Sequence, residues 1–412
     1  MKPLLTIIFS FLWTVVNGQT VDGENIYETA KKLFKTGIEL CVDERDAFDY
    51  EQVVSMFEET VALYPDNVEA RYFLGYAYGR LNSKDAKGLT DMNLELMYKS
   101  SEQFEKVIEL SPEYTGELLI LDPYSKLSSE WGSMALYYLS HNKTDSAVWV
   151  FREGKKRGAF SDFILELYKR TLDACSDNAI LLTSGDIPFF SLLYLQKVES
   201  YRTDVAVVNL SLLNTAWYPA FLVGNKTVAF DVPDAALDSI DAIAWADSTV
   251  TINGFSWILK PGFDESSLLR SDRLLLSMLG ENKFQREVIF AVGVAASDKL
   301  SLQDNLMPLI IVEKLSTASQ DLPSFTDYKT AITEYLKLSK LLNLNSSDEH
   351  RIFDYFFRAN LLLRVDAFLN DDEIQNAREL MELLDKYAND SEYPFLDANL
   401  KFLAYYFRQQ LF

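Results

Sequence analysis

The segment NAILLTSGDIPFFSLLYLQKVESYRTDVAVVNLSLLNTAWYP, residues 178–219, predicts a strand, a turn, a helix and a second strand. Ala179–Thr183 is a short apolar run that ends at the turn residues Ser184-Gly185-Asp186. Val205–Leu213 is a β-branched run that changes to polar residues from Asn209 onward. Long amphipathic helical patterns lie on both sides of this segment. We therefore predict an α/β unit embedded in a helical protein.

Further strands are predicted downstream of this segment. Val288–Val294 (VIFAVGV) reads as a buried strand, and Pro308–Val312 (PLIIV) as a further strand or edge segment. The stretch DSTVTINGFSWILKPG alternates enough to suggest short strands, and Ser271–Leu279 reads as a helix. Continuous apolar strands separated by helices predict a parallel sheet that is covered on both faces.

The helices before the α/β unit resemble tetratricopeptide repeats. In VEARYFLGYAYGRL, the small residue Gly75 would let a partner helix approach, and SSEQFEKVIELSPEY matches the second half of such a repeat. Pro65 and Pro112 lie farther apart than the repeat period of about 34 residues. The polar run that begins at Asn82 would absorb the difference as a loop. Further amphipathic patterns predict these helices: Asn25–Cys41, Tyr50–Leu63, Leu127–Leu139 and Thr144–Gly158.

The chain becomes helical again from Thr326 onward. Four patterns predict a terminal block: Tyr328–Leu342, Glu349–Leu369, Asp372–Ala388 and Leu396–Phe407. The predicted fold class is α+α/β, with tetratricopeptide-type helical repeats flanking a small, mostly parallel α/β sheet module. The predicted domains are a signal peptide (1–18), a repeat domain (19–160), the α/β module (161–325) and a C-terminal helical block (326–412).

The first residues, MKPLLTIIFSFLWTVVNGQT, predict a secretory signal peptide. Lys2 precedes an apolar run from Leu4 to Val16, and a cut is expected after Gly18. An uncleaved anchor is the alternative, but the run is shorter than the roughly 20 residues that a membrane helix needs. We expect a periplasmic or secreted protein with no stable membrane span after cleavage.

The composition of the 412 residues disfavours several classes of partner. The chain has 39 basic and 61 acidic residues and a formal charge of -22, which repels nucleic acid and anionic membrane surfaces. Cys41 and Cys175 are the only thiols, and they could pair only if the fold placed their Cα atoms within about 7 Å. Two buried, unpaired cysteines are the favoured interpretation, and whether they pair is left open.

Polar residues follow two neighbouring strands of the predicted sheet. Because ligands bind at the carboxyl ends of parallel strands, a small polar pocket is one interpretation, with an aromatic wall suited to a sugar. Its candidate residues are Ser184, Asp186, Asn209, Ser211, Asn214, Trp217 and Tyr218. The favoured alternative is structural: Asp186 caps the following helix, and Asn209 and Asn214 satisfy backbone groups.

No catalytic constellation is found in the sequence. His141 and His350 are far apart, and each is expected at the surface. A Ser-His-Asp or Cys-His arrangement is therefore not expected, and no catalytic residue, metal site or cofactor is predicted. Among the aromatic residues of the repeats, Tyr72 and Tyr76 are candidates for a concave peptide-binding groove, with packing between helices as the alternative.

The run ILLTSGDIPFFSLLYLQKVESYRTDVAVVNLSLLNTAWY is similar to the soluble C-terminal region of a Bacteroidota membrane family described as protein O-mannosyltransferase-like. Members of that family carry a close counterpart, YLQEVEGVRPDVRVVNLSLLNTPWY. The later SDRLLLSMLGENKFQREVIFAVGV also resembles the family, so the resemblance covers roughly residues 178–312. The membrane portion, in which glycosyl transfer is expected to reside, is absent, so the resemblance does not imply transferase activity. The family's GDNDT turn is also changed here, to Gly185-Asp186-Ile187-Pro188-Phe189.

These observations predict an exported, noncatalytic tetratricopeptide-repeat scaffold that mediates protein–protein interaction in the bacterial cell envelope. Its expected partner is an envelope protein or peptide, and its oligomeric state is unknown. The alternative is an envelope carbohydrate-binding protein or an accessory to glycosyl transfer, which would use the polar residues at the strand ends. Fold and function are separate inferences here.

Overall fold

The chain divides into two compact units, Met1–Pro123 and Tyr124–Phe412. The computed structural model of the protein describes residues 23–39, 48–83, 91–262, 266–317 and 324–412. The predicted signal peptide (1–18) and Cys41 lie outside these residues. Within the described ranges, no helix combines the length and the apolar character that crossing a membrane requires.

Four helices form the described part of the first unit: α1 (Gly23–Glu39), α2 (Tyr50–Leu63), α3 (Val68–Ser83) and α4 (Leu94–Leu110). Their aromatic residues build the core. The Phe34 ring lies 6.1 Å from the Phe57 ring and 6.2 Å from the Phe73 ring. Side chains cap the amino ends of two of these helices. The Asp49 side chain accepts from the N–H of Gln52 at the start of α2, and the Asn93 side chain accepts from the N–H of Glu95 at the start of α4.

Gly75 marks a close approach between α3 and α4. A Cβ atom at this position would lie 2.8 Å from the Phe104 ring of α4, and Ser100 Oγ donates to the Gly75 carbonyl at 2.8 Å. Only glycine leaves room for the ring at this distance. The sequence therefore located a contact between the two helices.

The second unit contains eleven helices among the described residues. Those near the sheet are α5 (Pro123–Ser140), α6 (Thr144–Lys156), α7 (Asp162–Asp173), α8 (Asp186–Val198), α9 (Trp217–Gly224) and α10 (Arg270–Asn282). The C-terminal ones are α11 (Phe325–Leu336), α12 (Ser347–Phe353), α13 (Ala359–Asn370), α14 (Ile374–Tyr387) and α15 (Ala398–Leu411). Helices and a small sheet together give the α+α/β class that the sequence predicted.

The main sheet has five strands: β1 (Ile180–Thr183), β2 (Ala206–Asn209), β7 (Val288–Ala291), β8 (Leu306–Leu309) and β9 (Val312–Leu315). Their order across the sheet is β2-β1-β7-β9-β8. β1 pairs in parallel with β2 and β7, whereas β9 pairs antiparallel with both β7 and β8. The sheet is therefore mixed, because the predicted strand PLIIV turns at Ile310 and Ile311 into a hairpin.

Four further strands complete the described β structure: β3 (Ile243–Ala244), β4 (Ser248–Ile252), β5 (Phe255–Leu259) and β6 (Ser267–Leu268). β4 and β5 form a hairpin, and Asn253 and Gly254 at its turn have φ of 46° and 83°. This Asn-Gly turn is the preferred connection for a two-residue hairpin. It explains the short strands that the alternating sequence suggested.

α5 and α6 belong to the same compact unit as the sheet, although the sequence analysis placed a domain boundary after residue 160. A Cβ atom at Gly132 of α5 would lie 2.2 Å from the Phe190 ring of α8. The Ser128 hydroxyl accepts from the N–H of Phe160 at 2.9 Å. The sequence does not predict these two contacts, because each joins residues that are far apart in the chain.

A buried ion pair lies in the C-terminal block. Residues Asp354–Arg358 form a turn of π-helix between α12 and α13, which places Arg358 Nη1 2.9 Å from Asp354 Oδ1. Both side chains are 1% exposed. Asp354 Oδ2 also accepts from the N–H of Leu396, and Arg358 donates to the carbonyls of Ala388 and Tyr393. The pair thus joins α12 and α13 to the segment before α15.

His350 is buried, which corrects the expectation that both histidines lie at the surface. His141 is exposed, whereas His350 lies inside α12 with no hydrogen-bond partner for Nε2 among the described residues. Burial lowers the pKa of His350. The charge of Arg358 also lowers this pKa, whereas the charge of Asp354 raises it. The folded protein therefore favours the neutral imidazole.

We expect acidification to destabilise the second unit through His350. Because the folded pKa lies below the unfolded value of about 6.5, the unfolded state binds more protons as the pH falls below that value. The stabilisation is present above the unfolded pKa and is lost as the pH falls through the folded one. Urea unfolding between pH 7.5 and 5.5 should show this slope in the wild type and in His141→Gln. His350→Gln should flatten it, and an unchanged slope in this variant would contradict the assignment.

Candidate functional site

The carboxyl ends of β1 and β2 lie side by side, because the parallel register pairs Thr183 with Asn209. Gly185, with φ of 82°, follows β1 and begins α8 without a side-chain cap. The structure brings three of the candidate residues together at this point. Ser184 Oγ lies 3.2 Å from Ser211 Oγ, and Asn209 Nδ2 donates to the Gly185 carbonyl at 3.2 Å.

Asn209 makes two further hydrogen bonds, and each of them involves a backbone N–H group. Its Oδ1 accepts from the N–H of Leu212 at 3.1 Å, and its own N–H donates to the Tyr218 hydroxyl at 3.0 Å. Asn209 is buried, and Tyr218 is fully buried. Burial also raises the pKa of Tyr218 well above its usual range. These contacts fix the end of β2 and the 3₁₀ turn that follows it, and they leave the Tyr218 ring without an open face.

Asp186, Asn214 and Trp217 take separate positions. Asp186 Oδ2 accepts from the Ser129 hydroxyl of α5 at 2.6 Å. Asn214 Oδ1 accepts from the N–H of Ser271 at 3.0 Å, at the start of α10. Trp217 is half-buried, and its ring lies 5.4 Å from the Tyr218 ring. Asp186 and Asn214 thus connect the strand ends to neighbouring helices.

A pocket lies toward the amino ends of β1 and β2. It has a volume of about 730 Å³ and is lined by residues of α8, β2 and α9, with Asn178 before β1 and Arg286 before β7. The half-buried Phe221 of α9 is part of its wall. The size is within the range of about 300–1,000 Å³ that small-molecule sites occupy. We refer to it as the amino-end pocket.

Three basic side chains line the amino-end pocket: Lys197, Lys226 and Arg286. No ion pair of these three residues is found in the described part of the chain. Arg286 is held by carbonyl groups alone, since it donates to Asn178 at 2.6 Å, Thr227 at 3.0 Å and Ala179 at 3.3 Å. Its pKa is lowered by burial.

The acidic side chain in the amino-end pocket is already engaged. Asp204 accepts from Arg202 Nε at 2.9 Å and from the N–H of Asn178 at 3.0 Å. The Arg202 guanidinium is the main cause that holds the pKa of Asp204 well below its usual range. The carboxylate is therefore ionised and paired, which leaves the three cations uncompensated.

Tyr72 and Tyr76 are buried in the first unit, so the packing alternative describes their surroundings better than an open groove. Both hydroxyls donate to the Leu121 carbonyl, at 2.8 and 3.1 Å. They also accept from backbone N–H groups, Tyr72 from Leu119 at 3.0 Å and Tyr76 from Leu121 at 2.7 Å. The chain's own segment 112–121, which we call the docked segment, thus occupies the face that the sequence analysis considered for a peptide.

The docked segment has further contacts with the first unit. Its Tyr114 ring stacks on Tyr72 at 4.7 Å, and Glu117 pairs with Lys31 at 3.0 Å and with Lys35. These two lysines hold the pKa of Glu117 below its usual value. Aromatic stacking, backbone bonds and ion pairs therefore act together on one short segment.

Cys175 is buried, and its Sγ lies 3.3 Å from the Thr171 carbonyl. Burial raises the pKa of this thiol to about 12. Among the described residues, no group of three or more His, Cys, Asp or Glu side chains is arranged to hold a metal ion.

The sequence analysis missed the amino-end pocket. Its basic residues come from three separate parts of the chain: Lys197 lies in the last turn of α8, Lys226 follows α9, and Arg286 precedes β7. The sequence of α8 contains one weak signal of the pocket. Gln196 and Lys197 follow a long apolar run, and they lie on the helix face that Phe189 and Leu193 begin. The rule that places ligands at carboxyl ends of strands directed attention to the opposite end.

The family described as TMEM260-associated domain 2 matches residues 165–225. TMEM260 is an O-mannosyltransferase-like protein, so this match is consistent with the related family that the sequence resembles. The matched segment contains β1, α8, β2 and α9, and residues 165–225 together supply 14 of the 20 residues that line the amino-end pocket. No curated protein matches the chain.

Proposed function

We propose that this protein is an exported, noncatalytic scaffold that binds a partner protein in the bacterial cell envelope. Its helical hairpins are of the tetratricopeptide type, as the contact between Gly75 and Phe104 supports. The observation that carries the proposal is the outer face of α15.

α15 has two apolar faces. Ala404, Phe407 and Leu411 form the buried one, which packs on α13 and α14. The outer face carries Phe402, which is 65% exposed, and Tyr405, which is 60% exposed, together with Tyr406 and Phe412. We call these four residues the outer aromatic face.

An outer helix of a stacked array normally needs a polar face for solubility. Contiguous exposed apolar side chains instead mark an interaction surface, and aromatic residues are enriched among the anchors of such surfaces. The basic residues of α15 are already paired, Lys401 with Asp390 and Arg408 with Asp385. The aromatic side chains are therefore the main apolar groups that this helix presents to a partner.

We expect the double variant Phe402→Ser/Tyr405→Ser to lose partner binding by about tenfold or more, as for truncated interface anchors. The measurement is titration of the mature protein, from Gln19 onward, against a purified envelope partner first found by photo-crosslinking at position 405. Trp149→Ser is the matched control, since Trp149 is an exposed aromatic on α6. Equal binding by the double variant, with unchanged thermal unfolding, would sink the proposal. Self-association lost in the double variant would identify a second copy as the partner.

Carbohydrate binding is the second candidate function, and the amino-end pocket is the observation that favours it. The strand-end cluster is the set of polar residues near the carboxyl ends of β1 and β2, namely Ser184, Asp186, Asn209, Ser211 and Asn214. Of these residues, Asp186, Asn209 and Asn214 already bond to other parts of the protein. Asp186→Ala tests that cluster directly. Loss of sugar binding in a folded Asp186→Ala variant would support the cluster, and retained binding would direct attention to the amino-end pocket.

A further inference from the structure

We propose that the amino-end pocket binds a sugar that carries a negatively charged group, either a phosphate or a carboxylate. This site differs from the strand-end cluster and does not depend on the outer aromatic face. The proposal is based on the uncompensated cations, the polar wall and the half-buried ring of Phe221.

The charge of the pocket is opposite to that of the protein. The whole chain has a formal charge of -22, yet Lys197, Lys226 and Arg286 converge on one cavity whose acidic residue, Asp204, is paired with Arg202. A cleft lined by one sign of charge attracts ligands of the other sign. The acidic surface repels extended polyanions such as nucleic acid, which favours a small anion.

Arg286 is positioned to hold that anion. A guanidinium has five N–H donors, and carbonyl groups accept from Nε, Nη1 and Nη2 once each, which fixes the orientation of the plane. Two N–H groups therefore remain for a ligand. A partly buried cation without a carboxylate partner has lost part of its hydration, and an anionic ligand would restore the lost interaction.

The rest of the pocket suits hydroxyl groups. Asn142 and Thr203 line it, as does Asn225, whose Nδ2 donates to the Phe221 carbonyl at 2.8 Å and thereby fixes the amide. Amide and hydroxyl side chains both donate and accept, as sugar hydroxyls require. The half-buried Phe221 ring adds an apolar surface of the kind that packs against a pyranose ring. The combination favours a charged sugar over a simple anion.

A purely structural role is the alternative explanation. In that case Arg286 only joins the residues before β1 to those after α9, and the two lysines are solvated surface residues. Binding measurements separate the two explanations, because a structural clamp has no affinity for sugars. Lys197 and Lys226 are exposed, so their substitution tests the pocket without removing a buried contact.

The experiment is calorimetric titration of the mature protein with glucose 1-phosphate, glucuronic acid, glucose and inorganic phosphate at low salt. We expect one or both charged sugars to bind at least tenfold more tightly than glucose and phosphate. Lys197→Gln/Lys226→Gln should weaken that binding about tenfold, as for the loss of charge-assisted hydrogen bonds. Lys283→Gln/Lys340→Gln, which removes the same charge from exposed residues outside the pocket, should leave it unchanged.

Four results would overturn the proposal: no binding of either charged sugar, equal binding of glucose, equal binding of phosphate, or equal weakening by both double variants. A preference for glucose 1-phosphate would assign the charge to a phosphate. A preference for glucuronic acid would assign it to a carboxylate. Arg286→Lys should also weaken binding while keeping the charge, because a lysine cannot reproduce the fixed plane of the guanidinium.

Discussion

Arg358→Leu is expected to destabilise the second unit by about 3–5 kcal/mol, the typical cost of removing one partner of a buried ion pair. The substitution leaves the carboxylate of Asp354 buried without its cation. It also removes the donors to the carbonyls of Ala388 and Tyr393. The guanidinium further lies 4.1 Å from the centre of the Phe395 ring, so packing is lost as well.

Urea unfolding followed by circular dichroism measures this effect. Arg351→Leu is the matched control, because Arg351 pairs with Asp348 at the same 2.9 Å but its side chain is 52% exposed. We expect the control to change the free energy of unfolding by less than about 1 kcal/mol. The double variant Arg358→Met/Asp354→Leu should recover part of the loss, because no unpaired charge remains. Equal effects of Arg358→Leu and Arg351→Leu would contradict the importance of burial.

The second large effect is expected for Gly132→Ala. The added Cβ would lie 2.2 Å from Cγ and 2.5 Å from Cβ of Phe190, so α5 and α8 must separate or the ring must move. Overpacking of this kind costs about 1–3 kcal/mol or more. The gain of about 1 kcal/mol from replacing glycine in a helix is smaller. The net effect is therefore destabilising.

Gly224→Ala provides the control for Gly132→Ala. Gly224 ends α9, and no atom lies within 4 Å of its ideal Cβ. We expect a small change of either sign in this variant, within about 0.5 kcal/mol. Thermal unfolding of both variants measures the difference. Equal melting temperatures would show that the α5–α8 contact relaxes at no cost.

The β1–α8–β2 unit could be predicted because each part has its own local signal. The turn at Ser184-Gly185-Asp186 breaks an apolar run, and Gly185 then adopts the positive φ that a non-glycine residue avoids. The β8–β9 hairpin lacked such a signal. Its turn consists of Ile310 and Ile311, and apolar residues at a turn cannot be distinguished from a continuous strand.

The sites were harder to predict than the fold. Ser184, Asn209 and Ser211 meet because neighbouring parallel strands end together, which the sequence pattern supports. The amino-end pocket requires Lys197, Lys226 and Arg286 to converge from elements that are far apart in the chain. Tyr72 and Tyr76 are candidates for a peptide-binding groove in the sequence, but the docked segment that contacts them has no repeat signature. Burial of His350 likewise depends on tertiary packing.

The docked segment has a consequence for any peptide that would bind the first unit. Tyr72 and Tyr76 already hold the backbone of Leu119 and Leu121, and Lys31 and Lys35 already hold Glu117. A covalently tethered segment competes at an effective concentration on the order of millimolar. A free peptide at a concentration below millimolar can therefore occupy this face only if its intrinsic affinity exceeds that of the docked segment by a corresponding factor. Any peptide that binds this face must therefore displace a segment of the same chain.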